Sequence, residues 1–235
     1  MQLRYRCSSN PRIPIGLHWI DLDVDGTRYR ELLSEDEKRR VDRLVFEHDR
    51  RRCLVGWATR RLLLARILGR EPASLAFGQE LEGRPYLADR CLEFNLSHSK
   101  SQAVVAVTEP QNGLLVGVDI EASGRTIDLE PLSVRFFHPY EIAHLRAEGF
   151  APKVFFRIWT AKESYLKALG TGLRKALDSF NVVSAKGKWE LCEPPGQPLL
   201  GWSTHTFVHP EHPDYLGTLT LNRPDAKISE HVFEL

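Results

Sequence analysis

The chain has little with which to cross-link, anchor or polarise itself. Its four cysteines, Cys7, Cys53, Cys91 and Cys192, are scattered through 235 residues and none falls in a Cys-x-x-Cys pair. Such spacing indicates neither a zinc site nor a disulfide framework, and free thiols in a reducing cytoplasm are the simpler reading. No apolar run approaches the ~20 residues that a membrane helix needs. Met1 to Asn10 carries charge but no apolar stretch, so no secretory leader is expected there. A Gly-x-Ser-x-Gly elbow is missing, and adjacent strand residues point apart, so Ser97-His98 does not read as nucleophile and base. His205, His209 and His212 are spaced like zinc ligands, but Pro210 and Pro213 break any helix there and His-Glu-x-x-His is absent. Neither charge dominates, with 32 Lys and Arg against 31 Asp and Glu. The 42% hydrophobic and 27% charged fractions are those of an ordinary globular protein, long enough for one large domain or two small ones.

What is present centres on Trp159-Thr160-Ala161-Lys162-Glu163-Ser164-Tyr165-Leu166-Lys167. Val154, Phe155, Ile158, Trp159, Leu166 and Leu169 recur at helical spacing, which predicts a helix from about Phe150 to Leu169, stopped by Gly170 and Gly172. Thr160, Glu163 and Lys167 share a neighbouring face, because residues three and four apart are helix neighbours. Taken alone they also suit a surface ion pair. The second element is Gly117-Val118-Asp119-Ile120-Glu121, the end of an apolar strand entered through Asn112-Gly113. Alternation puts Asp119 and Glu121 on one side and Ile120 on the other. Two such carboxylates are either hydrated at a strand end or share a hard cation such as Mg2+.

A local basic excess lies between Lys38 and Arg70, where eleven Lys or Arg face three acids. Two helices are expected there, from about Glu35 to Glu47 behind a Ser34–Glu37 capping box, and from about Asp49 to Leu68. Such a face suits a phosphorylated small molecule, an acidic protein or plain solvent. Too few aromatics are interleaved to stack bases, so nucleic acid is disfavoured. Strands are expected at Ile15–Ile20, Glu93–Ser97, Gln102–Val107 and residues 114–121, then around 180–183, 187–192, 202–208 and 215–221, with helices at about 128–147 and 150–169. The polar tail from Asn222 to Leu235 is expected to wrap the surface. Pro110-Gln111-Asn112-Gly113 is the clear internal break and divides the chain into 1–112 and 113–235.

The paired motifs, Gly117-Val118-Asp119-Ile120-Glu121 and Trp159-Thr160-Ala161-Lys162-Glu163-Ser164-x-x-Lys167, resemble the signature of the 4'-phosphopantetheinyl transferases of the long, Sfp-like type. Gly83-Arg84-Pro85, Asn95-Leu96-Ser97-His98-Ser99, Phe136-Phe137-x-x-x-Glu141, Gly170-Thr171-Gly172-Leu173 and Leu177-Asp178-Ser179-Phe180 are similar to further elements of that family, in order along the chain. The resemblance spans roughly Ser34 to Val183. It implies an α+β fold of two pseudo-symmetric halves with coenzyme A in the cleft between them. It also implies Mg2+ held by Asp119, Glu121 and Glu163, with Lys167 on the diphosphate and Glu163 the first candidate base. Coenzyme A phosphates would be held by Arg40, Arg52, Arg84, Ser97, His98 and Lys167. Arg84 replaces the family's usual Lys, and Cys53 stands where some relatives carry Thr. Glu141, on a helix read to start near Pro139 and on its own a surface residue, becomes a possible member of the site. The activity implied is transfer of phosphopantetheine to a serine of an apo acyl or peptidyl carrier protein of fatty acid, polyketide or non-ribosomal peptide synthesis. The implied enzyme is a cytoplasmic monomer, with no nucleic-acid or membrane partner. A basic binding module and a Mg-dependent phosphohydrolase are the other readings the residues allow.

Overall fold

The first helix starts where the sequence puts its cap. Ser34 Oγ accepts from the Glu37 amide and the Glu37 carboxylate accepts from the Ser34 amide, a reciprocal capping box that opens α1 (Glu35–Asp42). In the computed structural model, which describes residues 14–111, 113–124 and 127–235, the other helices are α2 (Glu47–Leu68), α3 (Leu129–Phe136), α4 (Pro139–Ala147) and α5 (Pro152–Leu169). Cys7, the Met1 to Asn10 segment and Asn112 lie outside the described residues. α2 and α5 both stop at glycines in the left-handed region, Gly69 (φ 66°) and Gly170 (φ 67°).

The strands are β1 (Pro14–Asp21), β2 (Phe77–Gln79), β3 (Pro85–Leu87), β4 (Glu93–Ser99), β5 (Gln102–Thr108), β6 (Val116–Ala122), β7 (Asn181–Val183), β8 (Trp189–Cys192), β9 (Ser203–Val208), β10 (Tyr215–Leu221) and β11 (Lys227–Val232). One sheet has the order β11-β1-β5-β4 and a second has β6-β10-β9, while β2-β3 and β7-β8 are separate hairpins. The fold is therefore α+β.

Alternation sorts the faces. Ile15, Leu17, Trp19, Val104 and Ala106 of the first sheet share a core with Val116, Val118, Ile120 and Leu219 of the second. The opposite face of the first sheet, with Ile20, Ala103, Val105 and Val107, packs under α2. The other face of the second sheet receives α5, whose Thr160 and Ser164 hydroxyls bond Thr218 (2.9 Å) and Thr220 (2.7 Å) of β10. Helices thus cover the outsides of two stacked sheets.

Two expectations are corrected. The span read as helical over 128–147 is two helices: α4 starts at Pro139, where a helix start was also read, and His138 before it sits extended (φ −67°, ψ 148°) as its N-cap because a residue before proline is pushed out of the α region. The tail does not merely wrap the surface. β11 pairs in parallel with β1, in register from Pro14↔Lys227 to Trp19↔Val232, and Phe233 is buried in the core beneath α2.

Candidate active site

Register decides what faces the second sheet. In the β4–β5 pair, Asn95, Ser97 and Ser99 lie opposite Ala106, Val104 and Gln102, on the face turned toward β6. No strand ladder joins β4 to β6, and these side chains supply the bonds instead. Asn95 Oδ1 accepts from the Val118 amide (2.9 Å), Ser97 Oγ donates to Asp119 Oδ1 (2.7 Å) and Ser99 Oγ donates to Glu121 Oε2 (2.7 Å). Ser99 Oγ also accepts from the Ala122 amide (3.2 Å). The Asn-x-Ser-x-Ser spacing is therefore a polar seam between sheets. Sequence reasoning assigned Ser97 to a phosphate and passed over Asn95 and Ser99, although their period of two was the available signal.

α5 lies unusually close to β6. A Cβ on Gly117 would stand 2.1 Å from the Ser164 carbonyl oxygen and 2.3 Å from the Ala168 nitrogen, so only glycine allows the approach. It brings Lys167 Nζ to 2.7 Å from Asp119 Oδ1. A cleft of about 560 Å³ opens here, lined by Arg84, Ser97, His98, Asp119, Glu121, Glu163 and Lys167 together with Trp159, Gly170 and Gly172. Thr160, expected beside Glu163 and Lys167, is instead buried against β10.

Charge in the cleft is crowded. Burial raises the Glu163 pKa above the ordinary carboxylate value, and Asp119 and Glu121 add to this against the opposing pull of Lys167. The His98 pKa is lowered, by desolvation against the cleft walls first and by the Lys167 ammonium second, with Asp119 opposing. Arg84 reaches the Phe94 carbonyl (3.3 Å) and Glu93 (3.4 Å). Among the described residues no group of three or more His, Cys, Asp or Glu is already arranged as a metal cage. The donor set nevertheless suits a hard, oxygen-preferring cation. Among the described residues Asp119 Oδ2 is buried with no hydrogen-bond partner, and the repulsion from Asp119 and Glu121 that adds to burial at Glu163 is what a cation would relieve.

Two predicted residues stand outside the cleft. Arg40 is exposed and lines a neighbouring groove that shares Gly83, Pro85 and Leu96 with it. Arg52 lines a largely apolar cavity behind His98 and makes a paired contact with Asp23 (Nε 2.7 Å, Nη2 2.9 Å).

The Glu141 reading is corrected outright. Glu141 is neither on the surface nor in the cleft: it is 0% exposed and accepts from the His138 and Val182 amides and from Lys162 at 2.8 Å. Lys162 Nζ also donates to the Leu177 and Phe180 carbonyls at 2.7 Å each. This buried pair ties α4, α5 and the segment after α5 into one unit.

Two family models match the chain. A family model described as 4'-phosphopantetheinyl transferase superfamily matches residues 115–215, and one described as 4'-phosphopantetheinyl transferase, N-terminal, matches residues 18–110. The 4'-phosphopantetheinyl transferase HetI of Nostoc sp. is 41% identical over 165 residues, covering 66% of this chain and 68% of the relative. The chain belongs to the 4'-phosphopantetheinyl transferase superfamily. A 4'-phosphopantetheinyl transferase of Bacillus subtilis is 34% identical over 159 residues, covering 66% and 68%, and Sfp of Bacillus subtilis is 29% identical over 161 residues, covering 67% and 69%. The transferase is thus Sfp-like, and the first family model ends in β10, the strand that α5 packs against.

Proposed function

We propose that this transferase moves 4'-phosphopantetheine from coenzyme A to a serine hydroxyl of an apo acyl or peptidyl carrier protein, with Mg2+, releasing 3',5'-ADP. The observation that carries this is one cleft gathering Asp119, Glu121, Glu163, Lys167 and His98, with Asp119 Oδ2 buried and without a partner among the described residues. Asp119, Glu121 and Glu163 would hold the metal. When bound, Mg2+ supplies charge neutralisation at the diphosphate and polarises the phosphorus under attack.

The chain's own residues do the rest. Lys167, already within 2.7 Å of a cleft carboxylate, presents an ammonium to the diphosphate, and His98 and Arg84 orient it from the β4 side. Ser97 acts on the carboxylate rather than on the phosphate, since its hydroxyl is committed to Asp119. Glu163 takes the serine proton as the new P–O bond forms and the anhydride P–O bond breaks toward 3',5'-ADP. In this reading residues 1–112 hold donor phosphates and residues 113–235 hold the metal and dock the carrier. The enzyme works as a cytoplasmic monomer, and the basic face of α1 and α2 attracts an acidic carrier.

Intact-mass analysis of an apo carrier incubated with the protein, coenzyme A and Mg2+ tests this. A gain of one phosphopantetheine, lost with EDTA and in Asp119→Ala, is expected. Coenzyme A hydrolysis without transfer would favour a phosphohydrolase. Binding of an acidic protein or nucleic acid with neither reaction would favour a basic binding module.

A further inference from the structure

A second hollow, of about 620 Å³, opens where the ends of β1 and β5 meet the β9–β10 turn and the segment that closes β11. Among the described residues it shares no lining residue with the catalytic cleft. Strand register sets its floor. Across the β1–β5 pair Trp19 lies opposite Val104 and Asp21 opposite Gln102. Trp19 and Val104 face the core between the two sheets, and alternation turns Gln102, two residues before Val104, to the same side.

Two buried polar groups in this hollow are unpaired. Trp19 is 0% exposed and Gln102 4%, and among the described residues neither Trp19 Nε1 nor Gln102 Oε1 has a hydrogen-bond partner. A buried indole N–H or amide oxygen is normally paired, so the hollow holds one donor and one acceptor that lack their complements. His209 completes the wall, with its ring centroid 4.6 Å from that of Trp19. Its Nδ1 accepts from the Glu211 and His212 amides at 3.1 Å each, which leaves the ring proton on Nε2. The His209-x-x-His212 spacing thus makes a turn, and His209 offers a donor. Burial first and His212 second lower the His209 pKa, so the ring is neutral and adds no positive charge.

The rim selects by charge. Asp21, Asp25, Glu211 and Glu234 line the hollow and are exposed, and Arg28 is the one guanidinium beside them. Four acids against one base attract a cation and repel a phosphate or carboxylate. Val24, Val232 and Phe233 add apolar wall, which suits a small organic body better than a bare metal ion. An ammonium answers the rim and can donate to Gln102 Oε1. It cannot serve Trp19 Nε1, which needs an acceptor oxygen on the same molecule.

We propose that this hollow is a binding site for a small primary ammonium that also carries a carbonyl or hydroxyl oxygen. The ammonium donates to Gln102 Oε1 within the field of the rim acids, and the oxygen accepts from Trp19 Nε1. The site does not depend on the coenzyme A reading. It lies close to the carboxylates of the cleft all the same, because Gln102 is the register partner of Ser99, whose hydroxyl holds Glu121.

Nitrogen–proton correlation spectra of the 5 tryptophan indoles test this directly, with the Trp19 signal assigned by its loss in Trp19→Phe. The probes at neutral pH are glycinamide, which carries both groups, propionamide, which lacks the charge, and N-acetylglycine, which reverses it. Glycinamide is expected to shift the Trp19 indole saturably, propionamide to bind far more weakly and N-acetylglycine to leave it in place. Gln102→Leu is expected to weaken glycinamide by about 10- to 100-fold, the range for a lost hydrogen bond to a charged group. If that variant does not fold, Glu211→Gln on the exposed rim is expected to weaken it by about 2- to 5-fold. A Trp19 signal that does not move, or moves without saturating, overturns the proposal and leaves a hollow that holds water. Equal responses to all three probes, or wild-type affinity in the variant that is read, overturn it as well. A shift of Trp159 in place of Trp19 puts the probe in the catalytic cleft, which Trp159 lines, and also overturns it.

Discussion

At the scale of single residues, the site holds charges in places that suit chemistry better than stability. Glu163 shows this with a definite sign. Its folded-state pKa is raised, so the native protein binds its proton more tightly than the unfolded chain does. Stability is therefore lost as pH rises through the window between the ordinary carboxylate value and the raised one. Glu163→Gln removes that cost. In chelator and without donor, its melting temperature at neutral pH should exceed that of the wild type by about 2–4 °C for each ~1 kcal/mol relieved, and the difference should vanish below the ordinary carboxylate pKa. The same variant should lose transfer; full turnover would remove Glu163 from the role of base. Lys162, its neighbour, has the opposite character. Lys162→Met leaves Glu141 charged and unpaired in the core and should cost about 3–5 kcal/mol in urea unfolding. The double variant with Glu141→Leu should recover part of this, and a double-variant loss equal to the sum of the two single losses would show that the pair is not coupled.

At the scale of elements, the site depends on how closely α5 lies on β6. Gly117→Ala places a methyl against the backbone of Ser164 and Ala168, and neither atom belongs to a side chain that can swing away. The helix must lift, at a cost of about 1–3 kcal/mol. Because Lys167 rides on that helix and Asp119 on that strand, activity should fall further than stability alone explains. Comparing kcat with the folded fraction checks this, and a variant with normal kcat would show that the contact is not what sets the cleft. The elements themselves were largely legible. Apolar period 3.6 gave α5, alternation gave β4 and the end of β6, and Ser34–Glu37 gave the start of α1. Pro139 likewise marked the start of a helix, and α4 begins there.

At the scale of the whole molecule, the last strand closes the first sheet. Without residues 227–235, β1 becomes an exposed edge and the core beneath α2 loses Phe233, which also lies 4.5 Å under the Arg66 guanidinium. That truncation should cost more than about 3 kcal/mol, the scale of removing a buried Phe, and should promote association. A truncated chain that melts within about 2 °C of the full one would contradict it. The tail read as surface wrapping because alternation in Lys227–Val232 is weak, with Ile228 and His231 only partly covered. A parallel pairing between residues more than two hundred apart leaves no local trace.

The sequence by itself determined the chemistry available and the family: carboxylates at alternate strand positions, Glu163 and Lys167 one turn apart, and the order of motifs around them. Such features are local, because periodicity and spacing are properties of a few neighbouring residues. Only the tertiary structure decided which charges are balanced. It showed Ser97 committed to Asp119, Arg52 to Asp23 and Lys162 to Glu141, and it left Asp119 Oδ2 and Arg60 Nε without partners among the described residues. The physical reason is that the energy of a charge depends on burial and on what lies within a few ångströms. Residues far apart in the chain supply both.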